Sequence, residues 1–428
     1  MKKLLITFLI SIGVATNLFA QQIDAIINAK EVERIERVLA SDEMQGRRAG
    51  TPGIEKAAQF IAQEFKAAGL QTLDNSESYL QSFKLMIPKF IGVKGEVNDE
   101  ELDPKSIIVI TIKPELKIDE KSGYQIASIN KGVSLITKAL EYYRSNKNYV
   151  VFVDTSFRNN FPRLTSLKRQ LFSSQHDVIF ILTDKPLDKF KIKAEHEFSE
   201  RPMANVVGIL PGKSRKNEYV IFSAHYDHLG ISKPVNGDSI YNGANDDAAG
   251  TTAVIMLAKY FKAVGNNERT LVFAAFTAEE SGGFGSQYFS SQLDPGKVAA
   301  MFNIEMIGTE SKWGKNSAYI TGYEKTNMGS ILETNLKGTG FTFYPDPYPD
   351  QNLFYRSDNA TLARLGVPAH TISTSKMDNE ANYHKPSDEI NTLDMENMAM
   401  IIKAIALSSK SIVNGTDTPS RVEVEALR

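Results

Sequence analysis

Thr270-Leu271-Val272-Phe273-Ala274-Ala275-Phe276-Thr277-Ala278-Glu279-Glu280-Ser281-Gly282-Gly283 runs from an almost wholly apolar stretch into an acidic pair and a glycine turn. A continuously apolar run of this length is what a strand buried on both faces requires. A polar turn directly after such a strand is where open α/β sheets place their sites, beyond the carboxyl ends of strands. Reading outward, residues 204–209 (ANVVGI), 219–223 (YVIFS) and 300–304 (AMFNI) are further strand candidates. Between two of them, 249–263 sets Ala253, Met256, Leu257, Tyr260 and Phe261 along one side of a helix. Strands alternating with helices predict an α/β chain: a three-layer αβα sandwich around a central mixed, mostly parallel twisted sheet.

Toward the start, 29–69 reads as helical. Val32, Ile35, Val38 and Leu39 recur at helix spacing, as do Ala57, Phe60, Ile61, Phe65 and Ala68, with Gly69 as the stop and a turn-rich 42–53 between them. From 85 to 199 the character changes. Short β-rich runs at 107–112, 149–153 and 178–182 are separated by Lys-, Asp- and Asn-rich spacers, which predicts an inserted, smaller β-rich subdomain. The expected organisation is therefore a leader at 1–20, a main domain from 21–84 and 200–414, an insertion at 85–199 and a tail at 415–428.

The 428 residues suffice for two domains, and 49 Lys plus Arg stand against 51 Asp plus Glu. No block of basic residues is present, so nothing points to nucleic acid as a partner. Cysteine is absent, which excludes disulfides, thiolate metal sites and cysteine nucleophiles. Met1-Lys2-Lys3, an apolar stretch over 4–14 and Ala20 before a polar turn read as a signal peptide cleaved after Ala20, hence export to a periplasm or the exterior. Leu18 is larger than the residue preferred at its place, which leaves an uncleaved anchor as the alternative. No later run is long and apolar enough to span a bilayer.

Five polar clusters follow the buried strands. Ser223-Ala224-His225-Tyr226-Asp227-His228 comes directly after 219–223. His225 and Asp227 are two apart, so in extended chain they point the same way: one imidazole to bind a metal, one carboxylate to orient a neighbour. Asn245-Asp246-Asp247 precedes helix 249–263; one Asp suffices for a helix cap, and the other is free for a cation. Glu279-Glu280 resists joint ionisation unless a cation is near. Glu305 ends an apolar strand, where an unpaired charge is costly. Asn382-Tyr383-His384 lies in a polar loop before a helix around 394–409. Nitrogen and carboxylate donors without sulfur suit zinc with an open position, or another borderline divalent ion.

These clusters, in this order, resemble the M28 metallopeptidases over about 37–84 and 200–410. The resemblance also takes in Leu39-Ala40-Ser41-Asp42, Ala204-Asn205-Val206-Val207-Gly208 and Ser357-Asp358 ahead of Leu365-Gly366-Val367-Pro368-Ala369. It implies a zinc-dependent exopeptidase, of aminopeptidase type, acting on peptides with two zinc ions per chain. By resemblance Asp246 bridges the metals, His225 and Glu305 complete one site, and Glu280 and His384 complete the other. Glu279 would be the general base toward a water bridging the metals, Asp227 the partner of His225, and Tyr383 the donor to the tetrahedral oxyanion.

Two departures from the family pattern stand out: Glu305 where Asp is usual, and Asn359 where His is common, the latter expected to touch substrate fit. The insertion occupies the place where some relatives carry a protease-associated domain, and a lid is the other reading of it. A one-zinc acyltransferase resembling glutaminyl cyclases and a catalytically silent binding protein are the alternatives. His176, His196 and His370 are expected in the core or at the surface, His228 is expected to line the cleft, and Trp313 has no assigned role.

Overall fold

The computed structural model describes residues 22–185 and 189–424; the expected signal peptide lies outside them. The chain divides into two compact units, one formed by the chain up to Ser82 and from Ala204 onward, the other by Phe83–Met203.

The first unit is built on strands β1 (Phe190–Leu210, of which 204–210 belongs here), β2 (Arg215–His225), β3 (Arg269–Phe276), β4 (Val298–Ile304), β5 (Ser317–Ile320), β6 (Thr342–Pro345) and β7 (Ala369–Ser373). Their order is β6-β5-β7-β4-β2-β3-β1. The pairs β2/β3, β2/β4, β4/β7 and β5/β6 are parallel, whereas β1/β3 and β5/β7 are antiparallel. The sheet is thus mixed and mostly parallel, as expected.

Its helices are α1 (Ala29–Leu39), α2 (Pro52–Ala67), α3 (Ala249–Val264), α4 (Phe284–Ser291), α5 (Met328–Leu336), α6 (Asn359–Ala363) and α7 (Met395–Ser408). Side chains alternate across a strand, so each strand feeds two cores. Val220, Phe222 and Ala224 join one with α1, α2, α3, α5 and α7, while Ile221 joins the other with Phe289 of α4 and Leu362 of α6. Phe222 stacks on Phe261, Phe273 and Phe302 at centroid distances of 5.3, 5.6 and 5.0 Å. Helices therefore cover both faces. The 29–69 region is two helices joined by a 3₁₀ stretch, Asp42–Arg47, and Gly69 takes the left-handed φ of +74° just past α2.

Gly250 explains how closely α3 approaches the sheet. A Cβ there would stand 2.2 Å from the Ile304 carbonyl oxygen, so only glycine lets the helix start lie against the end of β4. That contact puts the loop before α3 beside the residue that follows Ile304.

The second unit has a four-stranded sheet in the order Ile107–Ile110, Val178–Leu182, Tyr149–Val153, Gln125–Ile129. One face packs Ile179 and Ile181 against Val93, Leu116 and Ile192, and the other packs Val178 and Phe180 against Leu135 and Ala139 of the helix Leu135–Tyr143. No helix among the described residues is long and apolar enough to cross a membrane.

Candidate metal centre

Three parallel strands deliver the site. β2 ends on His225, β3 is followed by Glu279 and Glu280, and β4 by Glu305. Asp246 comes from the loop before α3 and His384 from the loop before α7. His225 Nε2 lies 3.2 Å from Asp246 Oδ1, and His384 Nε2 lies 3.2 Å from both Asp246 Oδ2 and Glu280 Oε2. Ligand atoms of His225, Asp246 and Glu305 fall within 4.8 Å of one another, and so do those of His228, Asp246 and Glu280. Asp246 belongs to both groups.

Asp247 turns the other way and acts as a tie. Its carboxylate accepts from the backbone N–H of His225 (3.3 Å), Gly250 (2.9 Å) and Met306 (3.0 Å), joining β2, α3 and the end of β4. The Asp388 carboxylate accepts from the N–H of Asn245 (2.8 Å) and Asp246 (3.0 Å), which holds the Asp246 loop to the His384 loop. Backbone strain accompanies this convergence: Ala278, Met306 and His384 adopt φ of 58°, 54° and 56°, values that non-glycine residues avoid. All three are at or beside a site residue.

Asp227 meets both His225 and the acidic turn. The chain turns after His225, so His225 Nδ1 meets the Asp227 backbone carbonyl at 3.0 Å, while the Asp227 carboxylate stands 3.8 Å off. That carboxylate instead accepts from the N–H of Glu279 (2.9 Å) and Glu280 (3.4 Å) and so fixes the acidic turn. Asn359 is fully buried; its amide donates to the Phe354 and Ala369 carbonyls, and its Oδ1 accepts at 2.9 Å from the hydroxyl of Thr371, which lines the pocket beside Glu305.

His228, expected only to line the cleft, stands in a candidate ligand group, and Arg47 was missed by sequence reasoning. His228 is buried with Nδ1 2.9 Å from Glu280 Oε1, a contact that satisfies the hydrogen bonding of neither atom. A Cβ on Gly243 would lie 2.5 Å from the His228 ring, so glycine there makes room for it. The available signal was a second histidine in the motif that holds His225. Arg47, also fully buried, donates to the carbonyls of Leu39, Tyr226, Asn242 and Gly243, bracing the turns on either side of the site. In sequence it stands in a turn-rich stretch with no distinguishing pattern. His370 is buried and bonds Thr326 and the Thr321 carbonyl, away from the cluster.

Charge is concentrated here beyond what the protein itself satisfies. Asp246 Oδ2, Glu280 Oε1 and Glu305 Oε2 are buried atoms with no hydrogen-bond partner. Burial pushes Glu305 up to about 7 and Asp227 up to about 7. Glu279 is raised well above the carboxylate range by burial, with Asp358, Glu305 and Glu280 adding to it against His225. Burial opposes the charged form of His384, yet the carboxylates of Asp246 and Glu280 beside its ring carry it up to about 10. Positive charge is thus favoured beside these carboxylates. Ligand atoms around one tetrahedral zinc with bonds of about 2.1 Å stand about 3.4 Å apart, close to the 3.2 Å contacts found here. Orphaned carboxylate oxygens, imidazole donors and the absence of sulfur fit a pair of borderline divalent ions.

Tyr383 stacks on His384 at 3.9 Å and lines a pocket shared with Glu305. Burial and the charges of Asp246, Glu280 and Glu305 raise its pKa, which keeps the phenol protonated and able to donate.

Residues 205–408 match the family model described as peptidase family M28. Leucine aminopeptidase 1 of Emericella nidulans is 26% identical over 263 residues, which cover 57% of this chain and 64% of that one. Other fungal proteins of that name match over about half of their length. The fold is similar to that of BSAP, a zinc aminopeptidase from Bacillus subtilis, with a TM-score of 0.56, 17% identity and coverage of 90% of this chain and 95% of that one. It is also similar to a Porphyromonas gingivalis glutaminyl cyclase, with a TM-score of 0.50, 11% identity and coverage of 91% and 99%.

Proposed function

The chain belongs to peptidase family M28, and from that premise we propose that it is an exported zinc aminopeptidase that releases N-terminal residues from peptides. The observation that carries the reading is Asp246 shared between two nitrogen-and-oxygen donor groups at the carboxyl ends of parallel strands. His225, Asp246 and Glu305 would hold one zinc ion, and Asp246, Glu280 and His384 the other, with His228 in reach of the second. When bound, the ions would lower the pKa of water and polarise the substrate carbonyl.

This chain's own residues do the rest. Glu279, raised in pKa and fixed through its N–H by Asp227, takes the proton from the attacking water and passes it to the leaving amine. Tyr383 stays protonated beside Glu305 and donates to the oxygen that gains charge. Residues 21–84 and 200–414 form the catalytic domain in this reading, and 85–199 is an insertion in it. The basic and apolar start of the chain supports export, with cleavage after Ala20.

Elemental analysis of the purified protein, combined with hydrolysis of Leu-Leu-NH2 and of its N-acetyl form, tests the reading. Two zinc ions per chain and cleavage of the free-amine peptide alone are expected. One ion per chain, with conversion of N-terminal glutamine to a cyclic product, would replace it with the acyltransferase.

A further inference from the structure

The pocket that Glu305 and Tyr383 share contains a positive charge that the protein does not answer. It is small and open on one side, with room of about 40 Å³, and Tyr319, Ser373, Leu353, Met377 and Arg356 also line it. Arg356 has no ion pair or side-chain hydrogen bond among the described residues, and its charge is felt at Tyr383. Its backbone is anchored. The Arg356 N–H donates to the Leu353 carbonyl at 3.0 Å, and the Oγ of the next residue, Ser357, accepts from Asn303 Nδ2 at 2.6 Å. A fixed backbone carrying a free guanidinium at the mouth of a hydroxyl-bearing pocket is a poor match for an aliphatic side chain. It suits a planar anion, because the guanidinium fork bonds a carboxylate through two parallel N–H groups.

We propose that Arg356 binds a carboxylate of the substrate, so that peptides presenting one beside the scissile bond are preferred. The proposal rests on the aminopeptidase reading, since Glu305 ties the pocket to the candidate metal centre. Two sources offer the same chemistry: an acidic side chain on the N-terminal residue, or the free α-carboxylate of a dipeptide. The like charge of Glu305 does not forbid either, because the cation it would hold offsets it.

The test uses the full zinc-loaded chain and three peptides: Leu-Leu-NH2 without a carboxylate, Glu-Leu-NH2 with one on the side chain, and Leu-Leu with one at the C-terminus. One of the carboxylate peptides is expected to exceed Leu-Leu-NH2 in kcat/KM by about 10- to 100-fold, the size of a charge-assisted hydrogen-bond contribution. Arg356→Gln should bring that ratio to about 1, and Arg356→Lys should restore part of it by charge alone. An advantage for Glu-Leu-NH2 assigns the side chain, and one for Leu-Leu assigns the α-carboxylate. Ratios that are the same in the wild type and in Arg356→Gln overturn the proposal while leaving the aminopeptidase standing. If no peptide is cleaved, the aminopeptidase reading fails, and the carboxylate site is read by binding. A larger rise in Tm with the α-amide of glutamate than with that of leucine, lost in Arg356→Gln, supports it; equal rises overturn it.

Discussion

Asp177 of the inserted unit and Asp246 of the main unit are buried alike, at 3% and 2% exposure, yet their surroundings differ. Asp177 is fully answered within its own unit: Thr111 Oγ1 donates to it at 2.6 Å, Lys113 Nζ at 2.7 Å, and the Tyr124 hydroxyl also donates. Asp246 faces two other carboxylates, and its Oδ2 has no hydrogen-bond partner. A buried charge costs free energy unless it is paired and bonded. Where the fold supplies the donors, the carboxylate holds the structure together. Where the fold gathers several carboxylates and sets against them only imidazoles, which can themselves ligate a metal, it leaves a place for a cation.

Substituting the two residues in parallel is the harshest way to break this comparison. Asp246→Ala should abolish zinc retention and lower kcat/KM on the order of 10³-fold, since a metal supplies several kcal/mol of transition-state stabilisation. The rise in Tm on adding zinc should vanish as well. Asp177→Ala should lower stability by about 2 kcal/mol through its lost hydrogen bonds and leave zinc content and kcat as they were. Elemental analysis, denaturant unfolding and steady-state kinetics on both variants decide it. If Asp177→Ala lost zinc, or Asp246→Ala kept it, the two carboxylates would not differ in the way argued here.

A third buried carboxylate sharpens the contrast, because it is settled by neutralisation. Glu36 in α1 is fully buried, bonds only Thr252 Oγ1 at 2.7 Å, and burial raises its pKa to about 8, with Thr252 and Arg47 opposing. Between its ordinary value of 4.5 and about 8 the folded protein holds a proton that the unfolded chain has released. Stability therefore falls as pH rises through that window, by about 5 kcal/mol from this residue. Glu36→Gln, which cannot titrate, should flatten the pH dependence of the urea midpoint between about pH 4.5 and 8. An unchanged slope would mean that Glu36 is charged in the folded state and answered by Arg47.

How much of this was legible depends on the element. The strands that carry the site were readable because β2, β3, β4 and the inner strands of the inserted unit are continuous apolar runs, which is what burial on both faces demands. The long strand Phe190–Leu210 was read only in its apolar half. Its first half alternates, with Phe190, Ile192 and Ala194 buried between exposed charges, so it carries the weaker period-two signal. The convergence of His225, Asp246, Glu280, Glu305 and His384 followed from their places after strands and from the family resemblance. What sequence spacing did not convey is direction. Two-residue alternation read the Asp227 carboxylate only as orienting a neighbour; the strand stops at His225, and the neighbours it holds are the N–H groups of the Glu279 turn. His228 and Arg47 enter through loop folding around Gly243 and the 42–47 turn, which leaves no periodic trace.

The mildest test acts on the support of Asp246 and not on Asp246 itself. Asp388 is in neither group of candidate ligands, but its two oxygens take the backbone N–H groups of Asn245 and Asp246, and its own carbonyl takes the N–H of Ala244. Three consecutive residues of the Asp246 loop are thus hung on one residue of the loop that bears His384. Asp388→Asn keeps the shape but replaces one accepting oxygen with a donor, so one N–H loses its partner. Zinc affinity should fall about 10- to 100-fold, the range for supports of ligating groups. At saturating zinc, kcat should return to within a few-fold of the wild type, because the ligands themselves are intact. Competition with a chromophoric chelator measures the affinity, and zinc titration of activity measures the recovery. A kcat that stayed low at saturating zinc would mean that Asp388 acts in the reaction and not only through the position of Asp246.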